Sequence, residues 1–449
     1  MRKIDRLRLY AQQKEQMVRE SDAIPDELFK EHNVNRGLRD INGKGVVTGL
    51  TGISEVTSMK VIDGKRVPCE GELWYRGYRI EDLVQYYSEH GFGYENLAYL
   101  LLFGKRPDEE EEKNFIENLA LSRSLPSNFT RDVIMKAPTK DIMNSMTRSI
   151  LTLASYDAES QNISVDNVIR QSMMLIAVFP MLAIYAYHAY NYDQLQSSMY
   201  IHRPKSGIST AENILRMLRP DKKYTKTEVK VLDAALMLHM EHGGGNNSTF
   251  TTRVVTSSGS DTYAAIAAAM SSLKGPRHGG ANLKVMEMME DIKNNVGDWK
   301  DDDAVCSYLT KLVDGEAFDR KGLIYGMGHA VYSISDPRER IFKRFVTTLA
   351  EEKNKMKELE LYNQVEKLAP RVIAEKRHIY KGVSPNVDFY SGFVYSMLGI
   401  PKELFTPLFA IARISGWSAH RLEEIVENGR IMRPAYISVM NEIGESEGE

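Results

Sequence analysis

Apolar residues recur at three- and four-residue spacing along most of this 449-residue chain, the pattern of helices that bury one face. Glu228–Glu241 (EVKVLDAALMLHME), Thr262–Leu273 (TYAAIAAAMSSL) and Asp336–Glu352 (DPRERIFKRFVTTLAEE) are the clearest cases. The third carries its own start signal. Asp336 stands as N-cap, Pro337 takes the first helical position, and Glu339 offers the second half of a capping box. Met173–Tyr190 (MMLIAVFPMLAIYAYHAY) is apolar on every side and nearly long enough to cross a bilayer. It also holds Pro180 and His188 and has no companion span, so the pattern predicts a buried helix kinked at Pro180. Strand-like alternation is confined to the start of the chain. There Gly45–Val56 (GVVTGLTGISEV) and Val61–Pro68 (VIDGKRVP) predict a short hairpin region. The acidic runs Asp108–Glu112 and Asp298–Asp303 read as solvated helix ends or loops. No internal repeat or low-complexity linker interrupts the pattern, and the expected fold class is mainly α.

Length and composition narrow the picture further. A chain this long exceeds one hydrophobic core, so two packed domains are expected. The formal net charge of -3 supplies no field to recruit nucleic acid or an anionic membrane. Two cysteines, Cys69 and Cys306, cannot build a disulfide framework or a four-cysteine zinc site, and they fit a reducing compartment. The first twenty residues have no apolar run and include Asp5, Glu15 and Glu20. Neither a secretory signal nor a transit peptide is expected, and the predicted location is cytoplasmic.

Candidate chemistry lies in four histidine or carboxylate settings and in three arginines. In LHMEHGGGNNST, spacing places His239 and His242 on one helix face before a run of glycines that admits close backbone approach. The alternative there is a helix C-terminus whose histidines complement the dipole. In KGPRHGGAN, His278 sits between two glycine-marked helix ends. A histidine before a helix N-terminus is biased towards neutral imidazole, which can donate to a developing oxyanion; the alternative is a structural turn. In GMGHAVYSISDPR, His329 follows a Gly-x-Gly, but the third glycine and the βαβ setting of a dinucleotide fold are missing. In SPNVDFYSG, Asp388 precedes an apolar run and would otherwise be a helix-capping aspartate. Arg413 within FAIARISGW must find an anion or an internal partner, and Arg433 within RIMRPAY sits at a turn. Three histidines, His239, His242 and His278, also raise a metal-dependent hydrolase, although Glu241 lies outside the His-Glu-x-x-His register.

Taken in order, these segments resemble the citrate synthase family: His-x-x-His with Gly and Asn, GPRHGGAN, GMGHAVYSISDPR, PNVDFYSG, an arginine in an apolar helix, and a late Arg-Pro. LWYRGYRIEDL and AYLLLFGKRP extend the resemblance into the first half. The resemblance implies a mainly α, two-domain fold, with a large domain from 1–278 and 394–449 and a smaller mobile domain, 279–393, closing over a cleft. It implies condensation of acetyl-CoA with oxaloacetate and water to citrate and CoA, the entry step of the tricarboxylic acid cycle. The alternative within the family is 2-methylcitrate synthase, which uses propionyl-CoA. Asp388 would be the general base, His278 the donor to the thioester oxygen, and His329 the group that polarises the ketone. His242, Arg338 and Arg413 would hold oxaloacetate. Arg433 would reach the partner's site in a homodimer, and Lys381 would contact CoA. No metal or redox cofactor is implied. The chain departs from the family where glutamate often follows the second histidine, here Gly243, and where a basic residue often contacts CoA phosphate, here Ser333.

Overall fold

The computed structural model describes residues 3–40, 45–328, 331–332, 334–377 and 383–440. The chain forms two units, Met1–Leu50 and Thr51–Glu449. In the first, the helices Lys3–Ser21 and Asp26–Glu31 precede a 3₁₀ turn, Arg36–Leu38, and nearly every side chain is exposed.

The second unit is helical apart from one antiparallel sheet of three strands, Ser54–Ile62, Lys65–Tyr75 and Tyr78–Arg79, in sequence order. The first two strands meet at Asp63-Gly64, both with positive φ (51° and 74°), the backbone that a tight two-residue hairpin demands. This corrects the expected hairpin of Gly45–Val56 with Val61–Pro68. The Asp-Gly pair inside VIDGKRVP is a stronger signal than the alternation around it and splits that segment at its turn. Residues 45–50 belong to the first unit.

The helix Phe405–Val426 is the core. Arg413, Trp417, His420 and Arg421 along it are fully buried. Val165–Gln194, Asn247–Ser257, Gly93–Phe103, Lys226–His239 and Thr262–Leu273 all pack against it. Val165–Gln194 is the apolar segment anticipated from the sequence. It runs as one helix through Pro180, and 78% of its most apolar 18-residue window is buried. It is a core helix of this unit.

Thr262–Leu273 forms as predicted, capped by Asp261. Pro337–Glu352 starts as predicted, with Asp336 accepting the Arg338 amide. Glu339 was expected to close a capping box; instead its Oε1 is buried without a hydrogen-bond partner. The helix predicted over Glu228–Glu241 is displaced by two residues, to Lys226–His239. It starts earlier because Thr225 and Glu228 form a reciprocal capping box. Both acidic runs are helix starts: Asp108 caps Glu109–Ser122 and Asp301 caps Asp302–Val313. Ala281–Asn295 and Pro337–Glu352 each pack on Asp388–Met397, Met356–Arg377 packs on Asp302–Val313 and Pro337–Glu352, and Pro337–Glu352 also packs on Lys226–His239.

Candidate active site

The second strand ends at Tyr75, which is fully buried against the end of Lys226–His239. Its hydroxyl lies 3.2 Å from Met237 O and 3.0 Å from Glu241 O, and accepts the Glu241 N–H at 3.2 Å. That hydroxyl takes the place of the next rung of the helical ladder, so the helix stops at His239. His239 and His242 therefore do not share a helical face, contrary to their spacing. His239 remains helical, and its Nδ1 hydrogen-bonds Ala235 O at 2.7 Å. Burial pushes its pKa down to about 3, so the ring is neutral, Nδ1 carries the proton, and Nε2 is an acceptor without a protein partner. His242 lies beyond the helix, where its Nε2 shares a 3.3 Å hydrogen bond with Tyr332 Oη. The chain then turns at Gly243, whose φ of +86° suits glycine, with its amide on Glu241 Oε1 at 2.6 Å. Glu241 also accepts from Ser54 and His420. Burial alone would raise its pKa, but His420 foremost, with Arg413 and Ser54, holds it down at about 2.

Arg413 approaches this segment from the core helix. Its Nε donates to His239 O at 2.8 Å, and its guanidinium lies 4.7 Å from the Phe409 ring centre. Nη1 and Nη2 are buried with no hydrogen-bond partner. Burial pulls its pKa down to about 10, against the pull of Glu241. A buried guanidinium with two free N–H edges calls for an anion that presents a pair of acceptors.

His278 sits in the turn between Thr262–Leu273 and Ala281–Asn295. The turn is tight: a Cβ on Gly279 would lie 2.2 Å from Leu273 O. The Ser248 backbone N–H donates to His278 Nε2 at 3.4 Å, with Ser248 Oγ 3.0 Å from the same nitrogen. A backbone N–H can only donate, so Nε2 carries the lone pair and the proton of the neutral ring is on Nδ1. Ser248 is itself fixed, accepting from Trp417 Nε1 at 3.1 Å and donating to Asn246 Oδ1 at 3.0 Å. Burial, then Arg413, pushes the His278 pKa down to about 4. The sequence reading of a neutral imidazole holds, although burial and Arg413 account for it rather than the helix terminus.

Arg338 is buried and clamped by Asp336 through two contacts, Nε to Oδ1 at 3.0 Å and Nη2 to Oδ2 at 2.7 Å. Asp336 Oδ2 also accepts the Val387 amide at 3.3 Å. Asp388 is the first residue of Asp388–Met397, and its side chain does not cap that helix. The segment leading to it is zipped to the Gly-x-Gly loop. Gly328 N donates to Ser384 O at 2.7 Å, Asn386 N to Gly326 O at 2.9 Å, and Asn386 Nδ2 to Gly328 O at 2.9 Å. A Cβ on Gly326 would lie 2.8 Å from Val285 and 2.9 Å from Phe389, so only glycine lets this loop seat against Ala281–Asn295 and Asp388–Met397. Burial pushes Asp388 up to about 6, with Arg338 and Arg413 restraining the rise and Asp336 adding to it.

Arg413 interacts electrostatically with His278, Asp388, Arg338, His239 and Glu241, which gathers these groups around one centre. His329, Lys381 and Ser333 lie outside the described residues. Arg433 is exposed in the irregular segment after the core helix, and among the described residues no hydrogen bond or ion pair joins it to the cluster. Among the described residues, no group of three or more His, Cys, Asp or Glu is disposed to hold a metal ion. The sequence reading missed Ser248, Trp417 and Asn246 behind His278, and saw Asp336 only as a cap. Ser248 and Asn246 stand in the GGGNNST run itself, and Trp417 closes the FAIARISGW motif. A neutral donor, a carboxylate whose pKa burial has raised and an anion-seeking arginine, Arg413, can together take a proton from carbon and stabilise the oxyanion that results.

The sequence profile described as Citrate synthase, C-terminal domain, matches residues 42–435. The 2-methylcitrate synthase 1 of Corynebacterium glutamicum is 32% identical over 425 residues, covering 93% of this chain and 98% of that protein. The citrate synthase of Synechocystis sp. is 34% identical over 395 residues, covering 87% and 90%. A solved citrate synthase from the archaeon Thermoplasma acidophilum, in a ternary complex with carboxymethyl coenzyme A and oxaloacetate, superposes with a TM-score of 0.74 at 26% identity. The match covers 91% of this chain and 97% of that one.

Proposed function

The chain belongs to the citrate synthase family of acyl-transferring enzymes, and we propose that it condenses acetyl-CoA with oxaloacetate and water to give citrate and CoA. The observation that carries this reading is the Arg413 guanidinium, buried with both Nη groups unpartnered beside Arg338, Asp388 and His278. Such a site suits a small dicarboxylate next to a proton-abstracting carboxylate.

In this reading Asp388 takes a proton from the thioester methyl group while His278 Nδ1–H donates to the thioester oxygen, so that a neutral enol forms instead of a free carbanion. The enol carbon attacks the ketone of oxaloacetate, whose oxygen takes a proton from His329. His242, Arg338 and Arg413 hold the dicarboxylate. Water then cleaves the citryl thioester, releasing CoA as the thiol. Lys381 supports the CoA, and no metal or redox group takes part. Residues 279–393 would close over the bound substrates and keep water from the enol. Arg433 would complete the site of a second subunit. Its exposed place after the core helix, with Ile431, Tyr436 and Ile437 also exposed, supports a homodimer. A cytoplasmic setting would keep Cys69 and Cys306, both free, as thiols.

The similarity to a 2-methylcitrate synthase over 93% of the chain favours a second reading, with propionyl-CoA as acyl donor. One methylene is worth only ~1–3 kcal/mol in such a pocket. Thiol release with oxaloacetate and each acyl-CoA decides between them. A higher kcat/KM with acetyl-CoA supports citrate synthesis, one with propionyl-CoA supports the second reading, and release from neither rejects both.

A further inference from the structure

The start of Pro337–Glu352 carries two carboxyl groups into the protein, Asp336 at the N-cap and Glu339 in the first turn. Three residues apart, they share a helix face, and both are buried. Asp336 is matched by the Arg338 guanidinium. Glu339 has no such match, and its Oε1 is buried without a hydrogen-bond partner. The cations that follow it along the helix are engaged elsewhere. Lys343, one turn on, donates to Glu366 Oε2 at 2.5 Å. Arg340 donates to Glu70 at 2.9 Å and lies 3.6 Å from Glu81.

Lys65–Tyr75, Ile80–His90, Lys226–His239, Met356–Arg377 and Asp388–Met397 pack around this helix. Towards its first turn they bring Glu70 and Tyr75, Glu81, His239, Glu366, and Asp388 with Tyr390. None of these is a cation at neutral pH, since burial keeps His239 neutral. Glu366 is itself the acceptor of both Lys343 and the Tyr390 hydroxyl, so it stands beside Glu339 as a carboxylate. A buried carboxylate without a cation is costly, and a second negative charge nearby adds to the cost, so Glu339 keeps its proton. Burial first, then Glu366, pushes its pKa up to about 8, with Asp336 adding to the rise and Lys343 and Arg340 opposing it.

We propose that Glu339 is a positioning residue of the candidate site: its proton lets Asp336 and Arg338 keep the arrangement that presents Arg338 to a dianionic 2-oxo acid, and loss of that proton weakens binding of this substrate. An ionised Glu339 sets a second negative charge beside Asp336, where it competes for Arg338 and repels the incoming dianion. The proton is held below about 8 and lost above it, so the KM for the dianion rises with pH through that value. By linkage, the bound dianion strengthens the hold of Glu339 on its proton by the same factor. The protonated state stands on burial and neighbours alone; the effect on the substrate rests on the citrate-synthesis reading.

The test follows two quantities in the full-length protein from about pH 7 to about pH 9.5, a range that brackets the titration. The first is the infrared carbonyl band of a protonated carboxylic acid, taken as the difference between wild type and Glu339→Gln. It should be present at the acid end and titrate away with a midpoint near 8. The second is the KM for oxaloacetate, followed by loss of thioester absorbance so that no thiol reagent limits the pH. It should rise at least about fivefold across the range in wild type and stay constant across it in Glu339→Gln. Glu366→Gln changes a partly exposed side chain, removes the neighbouring carboxylate and releases Lys343, and should move both midpoints to lower pH. A band absent at the acid end, or midpoints that Glu366→Gln leaves in place, overturn the protonated state. The same rise in KM in Glu339→Gln as in wild type overturns the role in substrate binding. Wild type without any loss of thioester would sink the citrate reading and with it the link to the substrate, while the infrared titration would still decide the protonation of Glu339.

Discussion

Replacing Gly416 with alanine sets two physical effects against each other. Gly416 lies within Phe405–Val426, and helix propensity alone makes Gly→Ala stabilising by about 1 kcal/mol. The packing says the opposite. A Cβ there would lie 2.3 Å from Met240 O and 2.5 Å from Glu241 Oε2. An ordinary carbon–oxygen contact is about 3.3 Å, so the core helix and the 240–242 segment must separate by about 1 Å. Overpacking of this kind costs about 1–3 kcal/mol. The shift also reaches the chemistry, because Arg413 is one turn away and is bonded to His239 O at 2.8 Å. A displacement of about 1 Å at a positioning contact costs up to ~100-fold in rate. Gly416→Ala should therefore lower the urea midpoint and reduce kcat/KM for oxaloacetate by ~10- to 100-fold. A variant as stable as wild type or more so, with unchanged kcat/KM, would refute the reasoning.

Other expectations follow from the same contacts. With Asp388 pushed up to about 6 and acting as a carboxylate, kcat/KM should fall as pH drops through about 6; an inflection below 5 or above 7 would contradict it. Arg413→Lys keeps the charge but loses the paired N–H edge, and should raise the KM for oxaloacetate ~10- to 100-fold; an unchanged KM would remove Arg413 from substrate binding. Glu228 is held at about 2 because hydrogen bonds from Arg219 and Lys353 overcome the opposing effect of burial. Its folded pKa lies below the ordinary value, so the stabilisation is present above about 4.5 and lost as pH falls from there towards 2. Glu228→Gln should cost about 2–3 kcal/mol at neutral pH, since Arg219 and Lys353 are partly exposed and solvent blunts the effect, and less in acid; a cost that does not shrink in acid denaturation experiments would reject the assignment. EDTA should leave thiol release unchanged, and activity that is lost and restored by a divalent cation would revive the metal-dependent alternative.

The helical periodicity carried most of the fold because each helix buries one face. Periodicity was silent on where a helix ends for a tertiary reason, as the Tyr75 hydroxyl shows at His239, more than 160 residues away in sequence. Capping chemistry was legible at Asp336 and overlooked at Thr225. At the site, His278, Asp388 and Arg413 were recognisable as residue types in unusual settings, and they share one electrostatic neighbourhood. What local sequence could not reveal was the support behind them. Ser248 fixes the His278 tautomer across 30 residues, Trp417 holds Ser248 across 169, and Asp336 turns from a helix cap into the clamp on Arg338. These depend on which helices meet, a property of the packed core rather than of any local pattern.

The most direct test of the central claim is CoA thiol release from acetyl-CoA and oxaloacetate at pH 7.5–8 (roughly 1.5–2 units above the Asp388 pKa, so that the carboxylate is ionised), comparing wild type with Asp388→Ala at matched folded protein. The account predicts steady release by wild type, with citrate as product, and a loss of at least ~1000-fold in kcat for the variant. Release by the variant within a few-fold of wild type would contradict the assignment of Asp388 as the base, and no release by wild type would contradict the activity itself.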